Sequence, residues 1–129
     1  MSEIKKECYY TAKHEWLKIE NGQVAIGITD YAQTSLGDIV FLELKEQGTE
    51  LKSGDPAGTI ESVKSAEDIY SPLNGIIAET NQVAVDQPDS INRAPYETWL
   101  IKLKQFDEDA VKTLMSSDDY AKYLETLEN

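Results

Sequence analysis

The sequence predicts a single, mostly-β domain with a helical trim at its C-terminal end. Three observations carry that expectation. Short apolar-alternating runs broken by glycine and asparagine turns fill the first two-thirds of the chain, the apolar period becomes helical over residues 107–128, and no linker, solenoid repeat or low-complexity run divides the 129 residues. A chain of this length buries about two-thirds of the surface it exposes when unfolded, so one real core forms without staples.

Taken in order, Trp16, Lys18 and Glu20 lead into Asn21-Gly22, and Val24, Ile26 and Ile28 leave it alternating with Ala25 and Gly27. Residues 14–28 therefore read as a hairpin. A short helix is expected over 29–36, with Asp30 as its cap, Gln33 completing a capping box and Gly37 ending it. Residues 39–44 form a dense apolar run after Gly37-Asp38 and read as a strand. Gly48 and Gly54-Asp55-Pro56 bracket a brief segment around Leu51, and strand-like runs over 57–63 and 69–73 flank Lys64. Asn74-Gly75 is a turn signal before the strand that begins Ile76-Ile77-Ala78, and Trp99, Ile101 and Leu103 alternate again. In the C-terminal quarter, Ala110, Val111, Leu114 and Met115 recur at helical spacing, as do Tyr120, Tyr123, Leu124 and Leu127. Ser116 and Asp119 fit a capping box between these two helices. Trp16 and Trp99 are expected in or half in the core, and Gly27, Gly37 and Gly75 are expected to meet backbone requirements at turns.

Charge narrows the function classes. Twenty-four Asp and Glu against twelve Lys and Arg leave a net charge of −12. Such a surface repels nucleic-acid phosphates and anionic membranes and is attracted to basic patches on protein partners. Cys8 is the sole cysteine, which rules out an internal disulfide framework and suits a reducing compartment. The first residues, Met1-Ser2-Glu3-Ile4-Lys5-Lys6-Glu7, lack an apolar leader core, and no apolar run reaches membrane-span length. A cytoplasmic protein is expected, or a mitochondrial-matrix one if the chain is a processed eukaryotic form. His14 is the only histidine, so multi-histidine metal sites and most histidine-dependent catalysis lack their parts, and no metal centre is expected. His14 suits the orienting of a local hydrogen bond, and Cys8 reads as an inert thiol. No nucleophile, base and orienter converge and no phosphate-binding glycine loop is present, so an enzyme with its own active site is not expected.

The informative stretch surrounds Lys64. Flanking strand-like runs put this lysine at a hairpin tip, with its amine leaving the body into solvent. A Schiff-base nucleophile would need a buried lysine of depressed pKa, and a tip is the wrong place for one. An exposed lysine among acids suits a covalent cofactor arm. Glu61, Glu67 and Asp68 would be recognition charges for the attaching enzyme, with Ser62 and Val63 as the lysine's immediate neighbours.

Glu61-Ser62-Val63-Lys64 resembles the lipoylation motif of glycine cleavage H-proteins, and the resemblance runs over residues 9–128. His14-Glu15-Trp16, Gly27-Ile28-Thr29-Asp30-Tyr31-Ala32-Gln33, Leu36-Gly37-Asp38-Ile39-Val40-Phe41 and Pro95-Tyr96 with Trp99-Leu100-Ile101-Lys102 are similar to further blocks of that family. The resemblance implies a lipoyl-domain-like barrel-sandwich hybrid of two small sheets, with a short internal helix and C-terminal helices. It implies a covalent lipoate on Lys64, attached by a lipoyl ligase or transferase. The lipoyl arm would accept an aminomethyl group from glycine at a pyridoxal-phosphate decarboxylase (P-protein). It would pass the methylene to a tetrahydrofolate-dependent aminomethyltransferase (T-protein) and be reoxidised by a dihydrolipoyl dehydrogenase (L-protein). By the same resemblance, Glu15 and Asp68 shelter the cationic cargo, and a monomer best serves several partners. One alternative is a lipoyl donor or relay protein for other lipoate-dependent complexes; another is an unmodified interaction domain. Biotinyl domains share the fold but flank their lysine with methionines, where Val63 and Ser65 stand here. Three departures accompany the resemblance: Lys13 where some relatives have a small polar residue, Glu67 in Ala66-Glu67-Asp68-Ile69, and no glycine-containing insertion before Trp99.

Overall fold

Two antiparallel sheets and several short helices make up the chain. The computed structural model describes residues 2–127; Met1, Glu128 and Asn129 lie outside the described residues, and with Glu128 the last position of the expected helical trim. In chain order the elements are β1 (Tyr9–Tyr10), β2 (Glu15–Glu20), β3 (Gln23–Ile28), α1 (Asp30–Leu36), β4 (Ile39–Leu44), β5 (Glu50–Leu51), β6 (Pro56–Ser62), β7 (Ala66–Tyr70), β8 (Gly75–Thr80), α2 (Gln82–Asp86), α3 (Ser90–Arg93), β9 (Ile101–Lys104), α4 (Glu108–Lys112) and α5 (Ser117–Leu127). The larger sheet runs β1-β2-β3-β9-β8-β5 and the smaller β4-β6-β7. The sheets do not merge into one closed barrel, which is the barrel-sandwich arrangement expected.

The β2–β3 hairpin forms as its sequence dictates. Asn21 and Gly22 have φ of 51° and 78°, the two positive values that a tight hairpin turn needs to match strand twist. Leu17, Val24, Ile26, Ile77, Ile101 and Leu103 form the core of the larger sheet. Ile28, Leu36, Ile39, Leu42, Ile60, Ile69 and Leu100 form a second core, between the smaller sheet, α1 and the segment before β9. Tyr10, stacked on Tyr120 at 4.4 Å, anchors α5 to β1 and Trp16 in a third. The capping box before α5 is present: Ser116 Oγ accepts from Asp119 N–H at 3.2 Å, and Ser116 N–H donates to Asp119 Oδ2 at 3.4 Å.

Several local expectations are corrected. The cap of α1 is Thr29, whose Oγ1 accepts from Ala32 N–H at 3.2 Å; Asp30 is the first helical residue and its carboxylate takes Gln33 Nε2 at 2.8 Å. Gly27 is not a turn residue but lies within β3 opposite Trp16, and a Cβ there would sit 2.6 Å from the indole. Gly75 opens β8 rather than bending a turn, and a Cβ on it would crowd the Lys104 carbonyl at 3.1 Å. Gly37 does end α1 with a positive φ. The second strand beside Lys64 runs over Ala66–Tyr70, earlier than the 69–73 expected. Strand β1 and the helices α2 and α3 were not foreseen, because none has an apolar period long enough to read.

Candidate functional site

The tip between β6 and β7 is closed by its own serine. Ser62 N–H donates to the Ser65 carbonyl at 2.8 Å, and Ser62 Oγ accepts from the N–H of Lys64 at 3.3 Å and of Ser65 at 3.2 Å. Ser62 is buried, and its hydroxyl is engaged within the turn. Val63 N–H donates to the Asp38 carbonyl at 3.0 Å, tying the tip to the strap between α1 and β4. Glu61, Val63, Lys64, Glu67 and Asp68 are all exposed, as expected of a presented lysine and its neighbours. The stem of Lys64 passes over Gly37, where a Cβ would lie 3.3 Å from Lys64 Cε.

Next to the tip lies a cleft of about 320 Å³, at the small end of the usual range for ligand sites. Ile28, Ala32, Leu36, Ile60 and Ile69 give it an apolar wall, while Lys13, Glu15, Glu67 and Asp68 line its polar part, and Ser65 brings it up to the lysine turn. Two consecutive acids of β7 border it. Glu67 is opposite Ile60 and Asp68 opposite Thr59, so the two point to different faces of β7, the edge strand of the smaller sheet. Asp68 Oδ1 accepts from Thr59 Oγ1 at 3.3 Å on the outer face.

Glu15 is the buried acid of the site, at 4% exposure. Burial raises its pKa above the ordinary glutamate value; the Thr11 hydroxyl, which donates to Oε1 at 2.9 Å, the nearby Lys13 charge and the backbone of Tyr70 oppose that rise. Lys13 does not point its ammonium freely into the cleft: Nζ sits 4.1 Å from the centroid of the Tyr70 ring, a cation–π contact that holds the charge to one side.

His14 forms the back of the cleft with a φ of 68°. Its ring packs 4.5 Å from that of Tyr31, and Nδ1 lies 2.8 Å from the Tyr120 hydroxyl, which also lies 2.8 Å from Thr29 Oγ1. Burial lowers its pKa, favouring the neutral ring. This is the orienting role expected of His14: α5 grips both the His14 segment and the cap of α1, two walls of one cleft. Burial also pushes the Cys8 thiol up to about 11, consistent with an inert packing residue.

The structure thus brings Glu15, from the first hairpin, beside Glu67 and Asp68 of β7. Sequence reasoning missed the apolar wall, although Ala32 and Leu36 stand four apart on α1 and so share a face. It also missed Asn92, for which the sequence carries no local signal. Among the described residues no group of three His, Cys, Asp or Glu could hold a metal ion, and no helix is long and apolar enough to cross a membrane.

Comparison with known proteins gives concordant results. Residues 8–127 match the model of the family described as Glycine cleavage H-protein. A glycine cleavage system H protein of Leptospira biflexa is 44% identical over 127 residues, covering 98% of this chain and 98% of its own. One from Listeria monocytogenes is 48% identical over 123 residues, covering 95% and 98%. The crystal structure of a glycine cleavage system H protein from Mycobacterium marinum matches with a TM-score of 0.84 and 36% identity, over 93% of this chain and 98% of that one. None of these matches favours the lipoyl-relay alternative.

Proposed function

The chain belongs to the glycine cleavage H-protein family, the lipoyl carriers of the glycine cleavage system, and we propose that Lys64 is the residue through which it carries lipoate. The observation that carries this reading is the pairing of an exposed lysine on a hydrogen-bonded tip with a half-apolar, half-acidic cleft at its base. The donor set suits the group. An amine without an ion-pair partner among the described residues is open to acylation, and the apolar wall suits an aliphatic chain.

When bound, lipoate supplies a disulfide–dithiol couple that takes up and gives up an aminomethyl unit derived from glycine. The chain's own residues do the rest. Ser62 and Asp38 hold the tip so that the lysine amine meets a visiting active site in one orientation. Ile28, Ala32, Leu36, Ile60 and Ile69 exclude water from whatever lies against them. Glu15 and Asp68 offer carboxylates to a cationic amine, and Lys13, held on Tyr70, forms no ion pair with either among the described residues. Glu61, Val63, Glu67 and Asp68 are the surface an attaching ligase or transferase reads. The chain supplies no catalytic group. Its partners are the decarboxylase, the aminomethyltransferase and the dihydrolipoyl dehydrogenase, each of which meets the tethered arm at roughly millimolar effective concentration.

The test is an intact mass of the protein from its native host, followed by mapping of the modified peptide. A lipoyl increment on Lys64, absent from Lys64→Arg, is expected. An unmodified Lys64 in cells whose other lipoyl proteins are fully modified would refute the assignment.

A further inference from the structure

Asn92 takes no part in the carrier chemistry, yet its side chain makes three hydrogen bonds around the strap beneath Lys64: to Gln33 in α1, to Gly37 in the strap and to Ile39 at the start of β4. Its Oδ1 accepts from Ile39 N–H at 2.9 Å, and its Nδ2 donates to the Gly37 carbonyl at 2.9 Å and to Gln33 Oε1 at 2.9 Å. One donor faces Oδ1 and two acceptors face Nδ2, so the amide fits in one orientation only. The strap is thereby gripped on both sides of Asp38. The Asp38 carbonyl is left to accept from Val63 N–H, and Gly37 lies under the Lys64 stem. Ile39, whose N–H Asn92 holds, is also the strand partner of Ser62, the residue that closes the lysine turn.

We infer that Asn92 is a positioning residue for Lys64, fixing the strap on which the lysine turn is seated and so the direction in which the amine is presented to the attaching enzyme. The inference rests on Lys64 being the lipoylated residue. Asn92 touches no reacting atom; it acts through Gly37, Asp38 and Ile39. Helix α3, which carries it, is a single turn, and the Asn92 amide bonds it to Gln33 of α1 and to Gly37 just past that helix. Without the amide, the Ile39 N–H and the Gly37 carbonyl lose their partners, and the seat of the turn is free to shift.

The experiment compares Asn92→Ala with Asn81→Ala. Asn81 is another asparagine whose side chain bonds the backbone, donating to the Trp99 carbonyl at 2.7 Å and capping α2, but it has no bond to the strap. Unlipoylated full-length proteins are presented to a purified lipoate–protein ligase with lipoate and ATP, and the rate of mass gain at Lys64 is followed. Amide hydrogen exchange at Val63 and Ile39 is read in parallel.

Asn92→Ala is expected to lower kcat for attachment about 10-fold or more with KM nearly unchanged, because the surface recognised is intact while the amine is misplaced. Exchange at Val63 should accelerate in this variant alone. Asn81→Ala should lower thermal stability without either effect. Equal attachment rates for the two variants, or unchanged exchange at Val63, would overturn the inference. Should Asn92→Ala fail to fold, Asn92→Asp, which keeps the acceptor for Ile39 N–H and loses both donors, is read in the same way. Absence of mass gain at Lys64 in the unsubstituted protein would instead refute the Lys64 assignment itself.

Discussion

Gly37→Ala separates two ways in which a glycine can be required. Gly37 has φ 80° and ψ −156°, a region open almost exclusively to glycine. A Cβ there would also stand 3.3 Å from Lys64 Cε. The steric contact is with the far end of a flexible, exposed side chain, which can swing away cheaply, whereas the backbone is held at both ends. Gly37 N–H donates to the Gln33 carbonyl at 3.0 Å, and its own carbonyl accepts from Asn92 at 2.9 Å. The backbone term therefore dominates. Such a conformation costs about 1–3 kcal/mol for a residue with a side chain. The stiffer unfolded chain returns about 0.4–1 kcal/mol. The mid-range values give a net loss of about 1.3 kcal/mol, lowering Tm by about 4–6 °C for a domain of this size. Thermal unfolding followed by circular dichroism on the unlipoylated protein measures it. The same loss should appear in a Lys64→Ala background, where the steric contact is gone. A Tm within about a degree of the parent, or recovery of stability in the Lys64→Ala background, would refute the reasoning.

Other outcomes are equally specific. Gly27→Ala forces a methyl to within 2.6 Å of the buried Trp16 indole, whose Nε1–H donates to the Pro95 carbonyl at 3.0 Å; overpacking of this kind costs about 1–3 kcal/mol, and denaturant unfolding with a shifted tryptophan emission should report it. Tyr120→Phe leaves Thr29 Oγ1 and His14 Nδ1 without the shared hydroxyl, so a loss of about 1–3 kcal/mol is expected in urea titrations, together with faster exchange at the Thr29 amide that donates to the His14 carbonyl. Glu15 has its folded pKa raised above 4.5, so its protonated form favours the folded state. That contribution is complete below 4.5 and lost as pH rises through the folded value. Urea unfolding of the parent and of Glu15→Gln at steps from pH 4 to pH 7 should therefore show the stability difference moving toward the variant as pH rises; a pH-independent difference would sink this account. For protein carrying an aminomethylated lipoyl arm, the same variant should hydrolyse its cargo faster to ammonia and formaldehyde, leaving the dithiol, which an ammonia assay reads directly.

Much of the fold was legible because its signals are local. Asn21-Gly22 admits the positive φ pair of a tight hairpin, Gly37 ends the helix before it, and Ser116 with Asp119 closes a capping box within four residues. Lys64 between two strand-like runs is likewise a statement about neighbours in sequence. Local reasoning misassigned what depends on competition between adjacent candidates or on distant packing. Thr29 and Asp30 can both cap a helix, and the bond from Thr29 to Tyr120, 91 residues away, goes with the choice of Thr29. Gly27 resembles a turn glycine in the sequence, but its true constraint is the indole of Trp16 on the facing strand.

By itself, then, the sequence determined the alternation of strands and turns, the presented lysine and the acids beside it, since period, turn chemistry and charge are written within a few residues of one another. The cleft was decided only by the tertiary structure. Its acid Glu15 comes from β2, its apolar wall from β3, α1, β6 and β7, its clamp from Tyr120 in α5, and the strap under Lys64 from Asn92, 53 residues beyond the Ile39 it holds. Hydrogen bonds and packing across such separations form only once the chain has closed on itself, and no local pattern of residues specifies them.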